Sequence, residues 1–157
     1  MAQAAIAGGQ SYVVIEDLID KAGEIISRYT GGEDSCVTSS ASAAICLTIA
    51  GLITKGNKVL MDRLPNPDGL ANEIVIQKGH SVHYGAPMPT MIRLGGGVPV
   101  EAGTANEVVP EDIEGAITDK TVALFYVKSH HCVQKGMVSL EVMRDIAHRH
   151  GLPLMVD

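Results

Sequence analysis

Aromatic residues are nearly missing from this chain: 3% of 157 positions, with no Trp and one Phe. Large rings are therefore excluded as the main core filling, and Ala, Val, Ile, Leu and Met must do it. At 46% hydrophobic content there are enough of them for one layered domain, of the kind in which helices pack on a parallel sheet. Cysteine is scarce as well. Cys36, Cys46 and Cys132 are odd in number and lack CxxC spacing, which argues against a disulfide framework and a thiolate zinc site and favours a reducing cytoplasm. No apolar run approaches the roughly 18 residues of a membrane span. Residues 1–9 lack the basic start of a secretory leader, so no membrane partner is expected. Clustered Lys and Arg are also absent: 12 basic against 18 acidic residues give a net charge of −6. That balance is the wrong sign for a nucleic-acid surface, and no nucleic-acid partner is expected.

What is present alternates. Apolar residues at Val14, Leu18, Ala22, Ile25, Ile26 and Tyr29 follow the three-and-four spacing of an amphipathic helix, closed by Gly31 and Gly32. Residues 43–53 are almost wholly apolar and predict a helix buried on all sides. Residues 58–62, bounded by turn residues, predict a strand, as do 73–76, 98–101, 122–127 and 152–156. Between them fall a helix over 83–94, delayed by Pro87 and Pro89, one from Pro110, and one from 139, with Ser139 as cap. Strands interleaved with helices predict an α/β fold, a mostly parallel sheet covered by helices. Residues 1–6 read as the middle of a helix and 154–157 as an unpartnered strand, so the chain is expected to be a fragment.

Four stretches carry chemistry. Ser40, Ala41 and Ser42 open a helix, where free amides and hydroxyls suit a phosphate; an ordinary serine cap with close packing fits equally well. Ser129, His130 and His131 directly follow the strongest strand, where open α/β sheets bind ligands; adjacent histidines point apart, so hydrogen bonding is expected and metal binding is not. Asp157 ends a buried strand, which favours either a cationic partner or a cap role in the next connection. His80 and Tyr84, between a strand and a helix, are candidates to stack on a flat ring or are plain loop residues.

Taken in order, residues 11–16, 38–44, 73–80, 127–136 and 155–157 resemble the enzymes related to L-seryl-tRNA(Sec) selenium transferase, and within them the D-glucosaminate-6-phosphate ammonia-lyase branch. The resemblance implies a fold-type-I homodimer or larger assembly that uses pyridoxal 5'-phosphate, with residues 1–157 as part of its large, cofactor-binding domain. It implies cofactor phosphate on Ser40, Ala41 and Ser42, ring nitrogen on Asp157, and Ser129 and His131 near the ring. His80 is implied as the stacking residue, and His130 and Lys135 as substrate contacts. The implied reaction is an α,β-elimination releasing ammonia from a phosphorylated amino-sugar acid and leaving a 2-keto-3-deoxy sugar acid phosphate. Two alternatives are selenium transfer to seryl-tRNA, disfavoured by the acidic chain, and a noncatalytic domain active only in assembly. The family's Schiff-base lysine lies beyond the aspartate strand, and none of Lys21, Lys55, Lys58, Lys78, Lys120, Lys128 or Lys135 matches it, so the catalytic residue is expected past Asp157.

Overall fold

A computed structural model describes all residues, 1–157, as two compact units, Met1–Ser39 and Ser40–Asp157. The first unit holds two helices, α1 (Ala2–Gly9) and α2 (Ile15–Thr30). Glu16 and Asp17 in the first turn of α2 and Arg28 in its last complement the helix dipole. Gly31, at φ 78°, ends the helix in a left-handed turn that glycine adopts without penalty. Gly23 is the buried residue of α2, because a Cβ there would lie 2.5 Å from the Ser35 carbonyl oxygen.

The second unit is a four-stranded parallel sheet in the order β2-β1-β3-β4: β1 (Glu73–Gln77), β2 (Val98–Ala102), β3 (Thr121–Tyr126) and β4 (Leu154–Val156). Its helices are α3 (Ala41–Thr54), the single turn α4 (Lys58–Met61), α5 (Met88–Leu94), α6 (Pro110–Ala116) and α7 (Leu140–Arg149). Side chains alternate across the sheet, and each face has its own core. Ile74, Ile76, Ala123 and Phe125 pack with Ile45, Ile49 and Ile53 of α3 and with Met91 and Ile92 of α5. Val75, Leu124 and Tyr126 face the other way, onto Ile113 of α6 and Met143, Ile146 and Ala147 of α7.

That division follows from the order of the strands. The chain winds from β1 outward to β2 through α5, then back across β1 to β3 through α6, and onward to β4 through α7. Because parallel crossovers are right-handed, reversing the direction of winding moves the helices to the opposite face. The reversal places a topological switch point between β1 and β3, and the crevice past their carboxyl ends is where such sheets take ligands.

Three expectations are corrected. The last strand is not unpartnered: β4 pairs in parallel with β3, Leu154 opposite Leu124 and Val156 opposite Tyr126. Residues 58–61 are helical: the Asn57 side chain accepts the amides of Val59 and Leu60 at 3.0 and 3.3 Å, a cap that a strand would not use. Helix α3 is not buried on all sides. Ile45, Ile49 and Ile53, spaced by four, form one buried stripe, while Leu47 is 60% exposed. The remaining elements fall where the periodicity placed them, with α5 starting late, behind Pro87. No helix is long and apolar enough to cross a membrane.

Candidate functional site

Helix α3 brings its amino end to the carboxyl ends of the strands. Its far end lies at the strands' start: Ile53 stands where a Cβ on Gly96 would approach, just before β2, and Lys55 shares a cavity with Thr121 and Pro153. At the first turn the Ser40 hydroxyl accepts the Ala43 amide at 3.1 Å, and the Ala44 amide reaches the Ser40 carbonyl. The amides of Ala41 and Ser42 are left for another acceptor, and the positive end of the helix dipole favours an anion there. The ordinary cap and the anion cradle thus coexist, the cap being made to the Ala43 amide.

Ala41, Ala44, Thr48 and Leu52 of α3 line a cavity of about 310 Å³ together with Phe125 and residues 153–157. Asp157 and the amino-terminal turn of α3 therefore border one depression. The Asp157 backbone stays on the sheet beyond β4: its amide donates to the Tyr126 carbonyl at 3.0 Å, and its carbonyl accepts the Lys128 amide at 2.7 Å. The side chain is exposed at the rim.

After β3 the chain turns sharply. The Ser129 hydroxyl accepts the His131 amide at 3.2 Å, and the Ser129 carbonyl accepts the Cys132 amide at 3.1 Å. His130 and His131 are exposed, with ring centroids 3.9 Å apart, and His131 stacks on Tyr84 at 3.8 Å and 19°. Tyr84 therefore covers a histidine face. Lys128, Ser129 and His130 line a second cavity of about 310 Å³ with Tyr126 and Gln134, and Lys135 is exposed beside it. No grouping of His, Cys, Asp and Glu suits a metal ion.

His80 is placed differently from the sequence expectation. It is fully buried, so neither ring face is open to a stacking ligand. Its Nδ1 accepts the Val127 amide at 3.2 Å, and its ring stands edge-on to Tyr126 with centroids 4.6 Å apart. Burial pushes its pKa below the usual histidine value. The residue that sequence reasoning missed is Gln134. Its amide nitrogen donates to the carbonyls of Val127 and Ser129 at 3.1 and 3.2 Å, while its Oε1 accepts the Tyr126 hydroxyl at 3.0 Å. The only signal for it was a polar side chain soon after the strongest strand.

Beside the switch point, Lys78 and Ser81 both hydrogen-bond the Glu101 carboxylate, and these two bonds hold its pKa below the usual carboxylate value.

Residues 16–157 match the family model described as SelA: L-seryl-tRNA selenium transferase. The chain belongs to this family. It is 48% identical over 155 residues to the D-glucosaminate-6-phosphate ammonia lyase of Salmonella typhimurium, covering 99% of this chain and 42% of that protein. It is 40% identical over 148 residues to the 5'-C-glycyluridine monooxygenase-decarboxylase of a Streptomyces species, covering 93% of this chain and 37% of that protein. A solved structure of D-glucosaminate-6-phosphate ammonia-lyase superposes with a TM-score of 0.94 at 48% identity, over 99% of this chain and 42% of that one. The family member described here thus spans about two fifths of the length of these relatives. An aspartate aminotransferase from Thermus thermophilus shares the fold, with a TM-score of 0.60 at 24% identity over 99% of this chain and 40% of that one. The architecture is the fold-type-I α/β arrangement expected from the sequence.

Proposed function

We propose that this chain is part of the pyridoxal-phosphate-binding large domain of an ammonia-lyase that acts on a phosphorylated amino-sugar acid such as D-glucosaminate 6-phosphate. The observation that supports the reading is one depression lined both by Ala41 and Ala44 of the first turn of α3 and by Asp157. A phosphorylated pyridine needs such a donor set, with free amides for its phosphate and a carboxylate for its protonated nitrogen, and the residues present fit it. The 48% identity to a D-glucosaminate-6-phosphate ammonia lyase supports the choice of substrate.

In this reading Ala41 and Ser42 bind the cofactor phosphate through their amides, aided by the Ser40 and Ser42 hydroxyls. Asp157 would accept a hydrogen bond from the protonated ring nitrogen and so keep the proton on the ring. Bound this way, pyridoxal phosphate supplies the sink for the electron pair left when a Cα–H bond breaks. Ser129 and His131 border the ring, and His130 and Lys135 present donors to the anionic substrate. The net reaction breaks the Cα–H and Cβ–O bonds of the amino acid and expels the β-hydroxyl as water. Tautomerisation and re-addition of water at C2 then release ammonia and leave a 2-keto-3-deoxy acid, with no oxidant required. A cytoplasmic homodimer or larger assembly belongs to the same reading.

The test uses the natural full-length polypeptide. Incubated with D-glucosaminate 6-phosphate it should release ammonia and 2-keto-3-deoxygluconate 6-phosphate in equal amounts. No keto acid from the sugar, with turnover of seryl-tRNA instead, overturns the substrate. A protein with no visible-range cofactor absorbance overturns the cofactor.

A further inference from the structure

Strands β1 and β3 pair as far as Ile76 opposite Phe125, after which β1 parts from β3, pairs once more with β2 at Gln77 and bends into a short 3-10 turn, Lys78–His80. In a parallel ladder successive residues direct their amide and carbonyl to opposite neighbours. Tyr126 and Lys128 direct theirs to the β4 side, where the Asp157 backbone takes both. Val127, between them, directs its groups to the side from which β1 has gone. Its amide donates to His80 Nδ1 at 3.2 Å and its carbonyl accepts Gln134 Nε2 at 3.1 Å. Two side chains thus stand in for the missing strand, one supplying the acceptor and the other the donor.

The rest of the local packing serves this splice. Gly79 lets the 3-10 turn approach closely: a Cβ there would lie 2.7 Å from Met137 Sδ and 3.1 Å from Val133 Cβ. The Val133 amide donates to the Gly79 carbonyl at 3.1 Å, and the Cys132 thiol points at the His80 carbonyl. With Nδ1 used as acceptor, the proton of the neutral ring sits on Nε2, and that buried nitrogen has no partner. An unsatisfied buried donor is unfavourable, and the ring is held in place despite it.

We propose that His80 is a positioning residue for Asp157: by accepting the Val127 amide it fixes the last rung of β3, on whose other side the Asp157 backbone is held. This rests on the reading of Asp157 as the ring-nitrogen contact. The splice itself is independent of that reading, and the two are tested separately.

His80→Asn keeps an acceptor at the position of Nδ1, whereas His80→Leu removes it. Hydrogen exchange read at single amides should show protection at Val127, Lys128 and Asp157 falling at least roughly ten-fold in H80L and returning toward wild type in H80N, with Val75 and Leu124 unchanged in both. Should H80L fail to fold, the imidazole nitrogen resonances of the wild-type protein decide, with Nε2 protonated and Nδ1 bare at neutral pH. Unchanged protection in H80L, or a proton on Nδ1, overturns the proposal. The second arm measures pyridoxal phosphate affinity on the same variants in the full-length protein. Affinity lost in H80L and rescued in H80N supports the link to Asp157. Exchange altered with affinity intact retains the splice and overturns His80 as a positioning residue for Asp157, whose own contact Asp157→Asn tests.

Discussion

Gln77 and Val138 close a ring of two hydrogen bonds across 61 residues of sequence: the Gln77 amide nitrogen donates to the Val138 carbonyl at 3.0 Å, and its Oε1 accepts the Val138 amide at 2.7 Å. The side chain is fully buried and reproduces the pairing a neighbouring strand would give, tying the end of β1 to the segment that leads into α7.

Gln77→Leu should therefore cost stability on two counts, since the buried amide and carbonyl of Val138 both lose their partner. At about 1–3 kcal/mol for each orphaned group, the expected loss is several kcal/mol. Urea unfolding checks it: the midpoint should fall with no change in the slope of the transition.

Acid should loosen the fold through His80. Burial lowers its pKa from 6.5, and the groups around it, Tyr126 and Cys132, are both held neutral by burial and offer no charge to pair with an imidazolium. Between the folded and unfolded values the unfolded chain binds more protons, so stability rises with pH across that window. It is fully present above about 6.5 and is lost as pH falls through the lowered folded value. Thermal unfolding followed from pH 7 downward should show this decline in wild type and a flatter profile in His80→Asn; parallel profiles would remove His80 as the source.

Ser40→Ala removes the oxygen that caps the Ala43 amide and should cost about 1 kcal/mol of helix stability. The amides of Ala41 and Ser42 remain, so pyridoxal phosphate binding should weaken without vanishing. Calorimetry on wild type and S40A measures the affinity, and circular dichroism the helix loss.

Gly136 sits at φ 80°, and a Cβ there would come within 2.4 Å of the Asn106 carbonyl oxygen. The backbone strain of Gly136→Ala alone is about 1–2 kcal/mol, and relieving the contact must disturb the bond from the Val108 amide to the Gly136 carbonyl, now 2.8 Å. A lowered melting temperature with faster exchange at Val108 is the expected outcome.

Asp157→Asn keeps the size of the side chain and removes its charge. If Asp157 holds the cofactor's ring nitrogen, affinity for pyridoxal phosphate should drop roughly ten-fold or more, about 1.4 kcal/mol. Equal affinities in equilibrium titration would separate this residue from the cofactor.

The sheet was legible because its strands are short, apolar and punctuated. The runs over 73–76, 98–101 and 122–127 lie between turn residues, and they form the strands that α3 with α5 cover on one face and α6 with α7 on the other. Residues 58–62 misled for the same reason. Val59, Leu60 and Met61 suit a strand or a helical turn, and the decision lies with the single side-chain oxygen of Asn57. His80 was visible as a polar residue at a strand end, but its role depends on where β1 stops relative to β3, a register no local pattern contains. Gln134 was hidden likewise, since a glutamine that replaces a strand looks in sequence like any loop residue.

The switch point between β1 and β3 separates two kinds of residue along every strand. Side chains within the ladder answer to the cores on the two faces; just past its end His80 and Cys132 turn back into the frame, while Tyr84, Lys128, His130, His131 and Lys135 are exposed. Exchanging the exposed ones leaves the load on the frame almost unchanged. A scaffold divided in this way can change its chemistry one turn at a time, which gives relatives named for deamination and for oxidative decarboxylation a common frame without requiring a common reaction.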